Sequence, residues 1–219
     1  MNRKIEIILS IPVSIYVNLR LFGIMGLKLP VYVNYKTKIR HLYKGNIVLP
    51  PDFCRGRIRI GFDGTDGIKG NDGHGMLDFS PTSRLEFKGK ASFGHNATIR
   101  NYGNIVIGEN FAINCNSFIS VHTELIIGRD FMGAWNINIM DSDNHTIIND
   151  DVQAIGSGKI TVGNHVWVCA YVDLLKNTFV NDDSIVGYKS LVNKKFDENK
   201  ILIAGIPARM VRKDVTWKI

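Results

Sequence analysis

A chain of 219 residues, 45% hydrophobic and 21% charged, is long enough for one sizeable core and too apolar to stay disordered. Lysine and arginine exceed aspartate and glutamate by 27 to 20, and a net charge of +7 favours an anionic partner: a phosphate-bearing small molecule, a membrane surface, an acidic glycan or nucleic acid. Cys54, Cys115 and Cys169 stand apart with no CxxC pair, which argues against a disulfide framework or zinc site and for buried thiols in a reducing compartment.

From the N-terminus, Ile5 to Leu21 is mostly apolar and follows Asn2-Arg3-Lys4 in the manner of a signal peptide. Glu6, Pro12, Asn18 and Arg20 interrupt it, no small-x-small cleavage site follows, and the unbroken run is short of the roughly 20 residues of a membrane span. The expectation is a cytoplasmic protein with a helix over residues 3–22 that packs on the domain or touches a membrane face. No repeat is visible up to residue 81, so 1–81 is expected to hold the helix, irregular strands and loops. Arg55, Arg57 and Arg59 alternate as on a solvated strand edge. Residues 63–75 alternate glycine with polar residues, as a surface loop without the ligand order of an EF-hand.

From Phe87 onward the spacing is six. Phe87, Phe93, Ile99, Ile105 and Phe111 keep it, and Leu125, Phe131 and Ile137 resume it after a shift. Ile160, Val166 and Val172 form a third run, which a one-residue insertion restarts at Phe179, Ile185 and Leu191. Gly108, Gly128 and Gly163 each follow a repeat position by three. A helix cannot keep one face apolar in steps of six, and free antiparallel strands would not hold the phase. A triangular solenoid can: each hexapeptide is a strand and a turn, three make a coil of about eighteen residues, and the repeated apolar residue points inward. Glycine, asparagine and aspartate supply positive φ at its corners. The predicted fold is an all-β solenoid of hexapeptide repeats over 82–203, with about six coils between Phe87 and Leu191. The gap between Ile137 and Ile160 exceeds any turn and marks an inserted, projecting loop at about 141–159, where chemistry tends to sit. Over 204–219 the chain leaves the prism, and Pro207 can open a short C-terminal helix that caps it.

The stretch Ile160 to Arg212 resembles the C-terminal half of the hexapeptide-repeat acetyltransferases, a left-handed parallel β-helix family that includes the galactoside acetyltransferases. Gly163-Asn-His-Val-Trp167, Asn181-Asp-Asp-Ser-Ile-Val-Gly187 and Ala204-Gly-Ile-Pro-Ala-Arg209 with Arg212 carry the match. Phe111-Ala-Ile-Asn-Cys-Asn116 and Asp141-Ser-Asp-Asn-His145 extend it, so that it covers about 87–212. The apolar N-terminal segment, a Lys-Leu-Pro stretch and Phe93-Gly-His95 also look like acyltransferases of bacterial surface-polysaccharide gene clusters.

The resemblance implies acetyl-CoA as co-substrate, a sugar or glycan acceptor, no metal, and a homotrimer with sites between neighbouring prisms. It makes His145 the catalytic base and puts Asn114 and His122 at the acceptor, the second where aspartate is usual. Trp167 would line the CoA groove with Cys169, Ala170, Tyr188, Lys189 and Lys194, and Arg209 and Arg212 would meet the CoA phosphates. Cys169 stands where glycine is usual, and Tyr188-Lys189 where a small residue and glycine are usual. Direct transfer from a thioester needs a base and oxyanion donors. Histidine as a residue type suits the first role, with Asp141 and Asp143 near enough in sequence to orient its ring. A backbone N–H near Cys169 or Ala170 suits the second. The expected function is an acetyl-CoA-dependent O-acetyltransferase acting on a sugar hydroxyl of a bacterial surface polysaccharide or its precursor. The alternatives are an N-acyltransferase on an amino sugar nucleotide and a non-catalytic β-helix scaffold subunit. Nucleic-acid binding has only net charge in its favour, without an aromatic–basic motif.

Overall fold

One helix, Arg3–Phe22, runs into a 3-10 turn, Gly23–Lys28, and the remainder of the described chain is strand and corner. The computed structural model describes residues 3–62, 73–145, 147–149, 152–154 and 156–218. The loop expected at 63–75 therefore falls largely outside the described residues.

The strands stack into three parallel sheets, the faces of a prism. Coil 1 contributes Val31–Val33, Lys38–His41 and Ile47–Val48, one to each face in turn. Coil 2 contributes Ile58–Ile60, Met76–Phe79 and Arg84–Phe87, and coil 3 Ala91–Phe93, Thr98–Asn101 and Asn104–Ile107. Coil 4 runs through Phe111–Ile113, Phe118–Val121 and Glu124–Ile127, and coil 5 through Met132–Gly133, Asn138–Met140 and Ile160–Val162. Coil 6 holds Trp167–Val168, Asp173–Leu175 and Phe179–Val180, and coil 7 Ile185–Val186, Leu191–Val192 and Lys195–Phe196. Leu202–Gly205 begins another pass along the first face. Because successive strand residues point to opposite sides, each strand sends alternate side chains into the prism. Phe93, Phe111 and Phe131 form an internal column, with ring centroids 4.9 and 5.1 Å apart.

Four expectations change. The prism begins at Val31, so the boundary at 82 is too late. The early coils hide their repeat because their corners are long: nine residues separate Val48 from Ile58, and fifteen separate Ile60 from Met76. The one-residue insertion before Phe179 does not exist, because Phe179, Ile185 and Leu191 face outward. Steps of six from Val172 reach Thr178, Ser184 and Ser190, which are 2%, 0% and 1% exposed and hide the repeat behind small hydroxyls. Each of these hydroxyls donates to a backbone carbonyl: of Val192 at 2.8 Å, Asp182 at 3.1 Å and Gly187 at 2.7 Å. Positive φ at the corners belongs mainly to Asn and Asp, such as Asn96, Asn116 and Asn136, while the repeated glycines serve close approach between coils. A Cβ on Gly128 would lie 2.6 Å from the Gly163 carbonyl oxygen. Finally, the C-terminal element is not a helix. Gly205, at φ 108°, and the cis Ile206–Pro207 peptide turn the chain, and Ala208–Arg212 pairs antiparallel to Leu202–Gly205. An open sheet edge offers backbone donors and acceptors that another strand satisfies with its own backbone, whereas a helix can do so only through polar side chains.

The two ends are closed by different means. Residues after the C-terminal hairpin fold back so that the Trp217 indole stacks on His165, with ring centroids 4.3 Å apart, and donates to the His165 carbonyl at 2.9 Å. At the other end the helix turns polar side chains onto the open edge of Val31–Val33. Asn18 exchanges hydrogen bonds with the Val31 backbone at 2.6 and 3.2 Å, and Ser14 with that of Val33 at 3.2 and 3.0 Å.

Candidate active site on two edges of the prism

The sequence-selected residues gather on two edges. The edge between the second and third faces carries His122 in coil 4 and the inserted segment of coil 5. That segment is a β-arm, Ile147–Asn149 paired antiparallel with Val152–Ala154, with Ser142 bridged to Ser157 at its base. His145 is exposed near this base. The backbone there is fixed by the Asp143 N–H donating to the Gly156 carbonyl at 2.7 Å, and by Gly156, where a Cβ would lie 2.4 Å from the His145 oxygen. Asn144, at φ 59°, turns the chain just before it and donates its N–H to the Ser142 hydroxyl at 3.0 Å.

Asp141 and Asp143 do not orient His145. Asp141 is fully buried, and its carboxylate accepts the backbone N–H groups of His122, Thr123 and Glu124 at 2.7, 2.7 and 3.0 Å. It pins the corner of coil 4 instead. Asp143 pairs with Lys176. Among the described residues, neither carboxylate bonds the His145 ring. His122 is exposed and stacks on Tyr102 at 5.1 Å, and Tyr102 donates to Asp78 at 2.7 Å. Burial raises the Asp78 pKa, but hydrogen bonds with His41 and Tyr102 outweigh it and hold the carboxyl below its ordinary value. His122 thus ends a polar row, Asp78–Tyr102–His122, that leads along the prism toward His145.

The edge between the first and second faces carries Asn114, Cys169, Ala170, Tyr188 and Lys189. The left-handed residue of this corner in coils 4 to 7 is Asn116, Asn136, Tyr171 and Lys189, at φ 57°, 55°, 59° and 54°. Asparagine suits a left-handed backbone, whereas Tyr171 and Lys189 occupy it at a cost, a pattern that clusters at functional positions. Both are exposed. The Tyr171 and Tyr188 rings meet edge-on at 5.5 Å, and Lys189 Nζ lies 6.0 and 5.7 Å from their centroids. The sequence does not single out Tyr171, because aromatic type alone does not tell a corner from a strand. Burial pushes the Cys169 thiol up, which keeps it protonated and unsuited to act as a nucleophile. Ala170 is buried, and Asn114 accepts the Cys115 N–H at 2.7 Å.

Four other residues assigned to the cofactor lie off this edge. Lys194 lies on the other edge, between Leu191–Val192 and Lys195–Phe196, with Nζ 5.1 Å from the Phe196 centroid. Trp167 is half-buried on the first face, with its ring centroid 6.2 Å from that of Trp217, a residue that no motif or spacing singles out. Arg209 and Arg212 are exposed on the C-terminal strand, beyond the corner of coil 7, and the Arg209 guanidinium donates to the Ala208 carbonyl at 2.9 Å. No cluster of metal-ligating side chains occurs among the described residues.

No family model matches the chain. Galactoside O-acetyltransferase of Escherichia coli K12 is 30% identical over 132 residues, 56% of this chain and 64% of that protein, so the match spans a little under two thirds of its length. The putative lipopolysaccharide biosynthesis O-acetyl transferase WbbJ of the same organism is 26% identical over 147 residues, 52% of this chain and 74% of that protein. Among solved structures, the polySia-specific acetyltransferase NeuO superposes with a TM-score of 0.62 at 18% identity, covering 87% of this chain and 89% of its own, which establishes the shared fold. The chain thus shares the left-handed parallel β-helix fold, and over part of its length it is similar in sequence to these O-acetyltransferases.

Proposed function

We propose that the chain is an acetyl-CoA-dependent O-acetyltransferase acting on a sugar hydroxyl of a surface polysaccharide or its precursor, by direct transfer with His145 as general base. The observation that carries the mechanism is His145 itself: exposed, fixed through its backbone at the base of the arm, and without a side-chain partner among the described residues. A base must be within hydrogen-bond reach of the hydroxyl it deprotonates, and this ring is open to an incoming acceptor. The protonated Cys169 thiol supports direct transfer over an acyl-cysteine intermediate. Acetyl-CoA fits the other edge in chemistry: Tyr171 and Tyr188 offer apolar surface, Lys189 offers a cation to phosphates, and Arg209 and Arg212 offer two more beyond it on the C-terminal strand. The likeness to galactoside O-acetyltransferase and WbbJ supports a sugar acceptor.

The two edges are separated by the strands of the second face, three or four residues each in coils 1 to 6, or roughly 10 Å and more at about 3.3 Å per residue. One chain therefore splits the machinery, and a ring of three copies would bring the His145 edge of one prism against the tyrosine edge of the next. The test is acetyl transfer to a panel of sugars, followed by product mass and ester lability in mild base. His145→Ala should lower kcat by roughly 10²–10⁴-fold while acetyl-CoA still binds. Near-normal transfer by that variant would remove His145 from the mechanism.

A further inference from the structure

The N-terminal helix turns Val17 and Leu21 into the core, with Val13 and Phe22 against it, yet leaves most of its remaining apolar residues outside. A helix that merely caps a domain buries its apolar stripe and shows water its polar one. Here Ser10, Ser14 and Asn18 are buried against coil 1, while Ile5, Ile8, Leu9, Tyr16 and Leu19 are exposed. Together with exposed Pro12, these residues recur at steps of three and four, as one stripe of an α-helix does. The apolar surface continues into the 3-10 turn, where Ile24 is 83% exposed, Met25 55% and Leu27 56%. An apolar surface of this extent on an otherwise satisfied fold marks a contact site.

Charge identifies what it contacts. Residues 1–50 contain eight lysines and arginines and one acid, Glu6, a net +7; residues 51–219 contain 19 bases and 19 acids. The entire net charge therefore lies at the end of the prism that bears the stripe. Lys4, Arg20, Lys28, Lys38, Arg40 and Lys44 are all exposed there.

We propose that this end of the prism docks on an anionic lipid bilayer, with the helix Arg3–Phe22 lying in the plane of the surface, its apolar stripe at the acyl boundary and the basic side chains among the headgroups. A second copy of this chain would oppose one basic end to another, whereas anionic lipid complements it. The helix is long and apolar enough to cross a membrane. Crossing would nevertheless strip Ser14 and Asn18 from the Val31 and Val33 backbone, and Glu6 from the Asn34 side chain it accepts from at 2.7 Å. The in-plane position keeps all of these bonds and wets neither the stripe nor the strand edge.

The test is flotation of the full chain with vesicles of phosphatidylcholine alone and of phosphatidylcholine containing about one third phosphatidylglycerol. The protein should float with the anionic vesicles only and be released as salt is raised to about 0.5 M. Ile8→Asp with Ile24→Asp should lower the bound fraction at least about tenfold, with unchanged circular dichroism and solution mass. Lys28→Glu with Lys38→Glu should weaken binding to the anionic vesicles without touching the stripe. Failure to float with either vesicle, or undiminished flotation of the isoleucine variant, overturns the proposal. So does a wild-type solution mass above that of the isoleucine variant, which would make the stripe a contact between copies. Release by detergent alone, and by neither salt nor carbonate, would make the helix a span. A chain that floats but transfers no acetyl group would defeat the enzymatic reading and leave this one standing.

Discussion

Asp141 shows how adjacency in sequence misleads at a corner. It sits four residues before His145, and a DxDxH pattern suggests a carboxylate orienting a ring. In the fold the two leave the corner of coil 5 in opposite directions, the carboxylate into the coil 4 turn and the ring outward on the arm. Only three-dimensional register shows that three N–H groups one coil back converge on the Asp141 carboxylate. The location of His145 in a projecting insertion, by contrast, was legible, because the six-residue phase stops after Ile137 and restarts at Ile160. Asp141→Ala should therefore damage the fold before the chemistry. Orphaning buried N–H groups costs on the order of 1–3 kcal/mol for each unsatisfied group, less where water enters, so a total loss of about 2–4 kcal/mol is expected in urea unfolding. A variant of wild-type stability and greatly reduced kcat would return Asp141 to the role suggested by its spacing.

The regular middle coils could be read directly because one apolar residue marks each six-residue step, whereas the capping elements could not. Helix Arg3–Phe22 reads as a mostly apolar segment, and nothing in its sequence says that Ser10, Ser14 and Asn18 join Val17 and Leu21 against the prism while Ile5, Ile8 and Ile11 stay outside. That choice is made by the strand edge, whose unpaired N–H and C=O groups near Val31 and Val33 demand polar partners. The helix start is held by a further contact from the corner of coil 3, where His95 Nε2 lies 2.8 Å from Glu6 Oε1. A hydrogen bond with Cys115 and then the Glu6 carboxylate, against the effect of burial, push the His95 pKa up to about 9 from 6.5. A raised value means that the folded state holds the proton more tightly than the unfolded one. The resulting stabilisation is full below 6.5 and is lost as pH rises through about 9. The melting temperature, and the amide protection of residues 10–18, should accordingly fall over that interval in the wild type. His95→Gln should flatten this part of the pH profile, and an unchanged slope would show that the Glu6 contact contributes nothing to docking of the helix.

On the proposed reading the prism carries two half-sites on different edges, and this division yields the sharpest test of assembly. His145 rides on the edge between the second and third faces, while Tyr171, Tyr188 and Lys189 ride on the edge between the first and second, with Arg209 beyond them at the C-terminal end. Identical solenoids that contact each other through unlike edges make a heterologous interface, which closes into a ring when the rotation permits. In a closed ring of three, each site draws its base from one chain and its cationic–aromatic edge from the next. Two inactive variants should then rescue each other. His145→Ala destroys one edge and leaves the other intact; Lys189→Glu with Arg209→Glu does the reverse, on exposed side chains whose replacement empties no core. Each variant alone should be nearly inactive, the first in kcat and the second through a raised KM for acetyl-CoA. Unfolded together in equal amounts and refolded, chains assort at random, so a site has one chance in two of an intact base and one in two of an intact opposite edge. About a quarter of wild-type activity should return if assembly follows the ring geometry, whereas mixing the folded variants without refolding should return none until subunits exchange. Absence of rescue, in a preparation whose solution mass shows mixed oligomers, would mean that each chain works its own site and that the two edges are not halves of one.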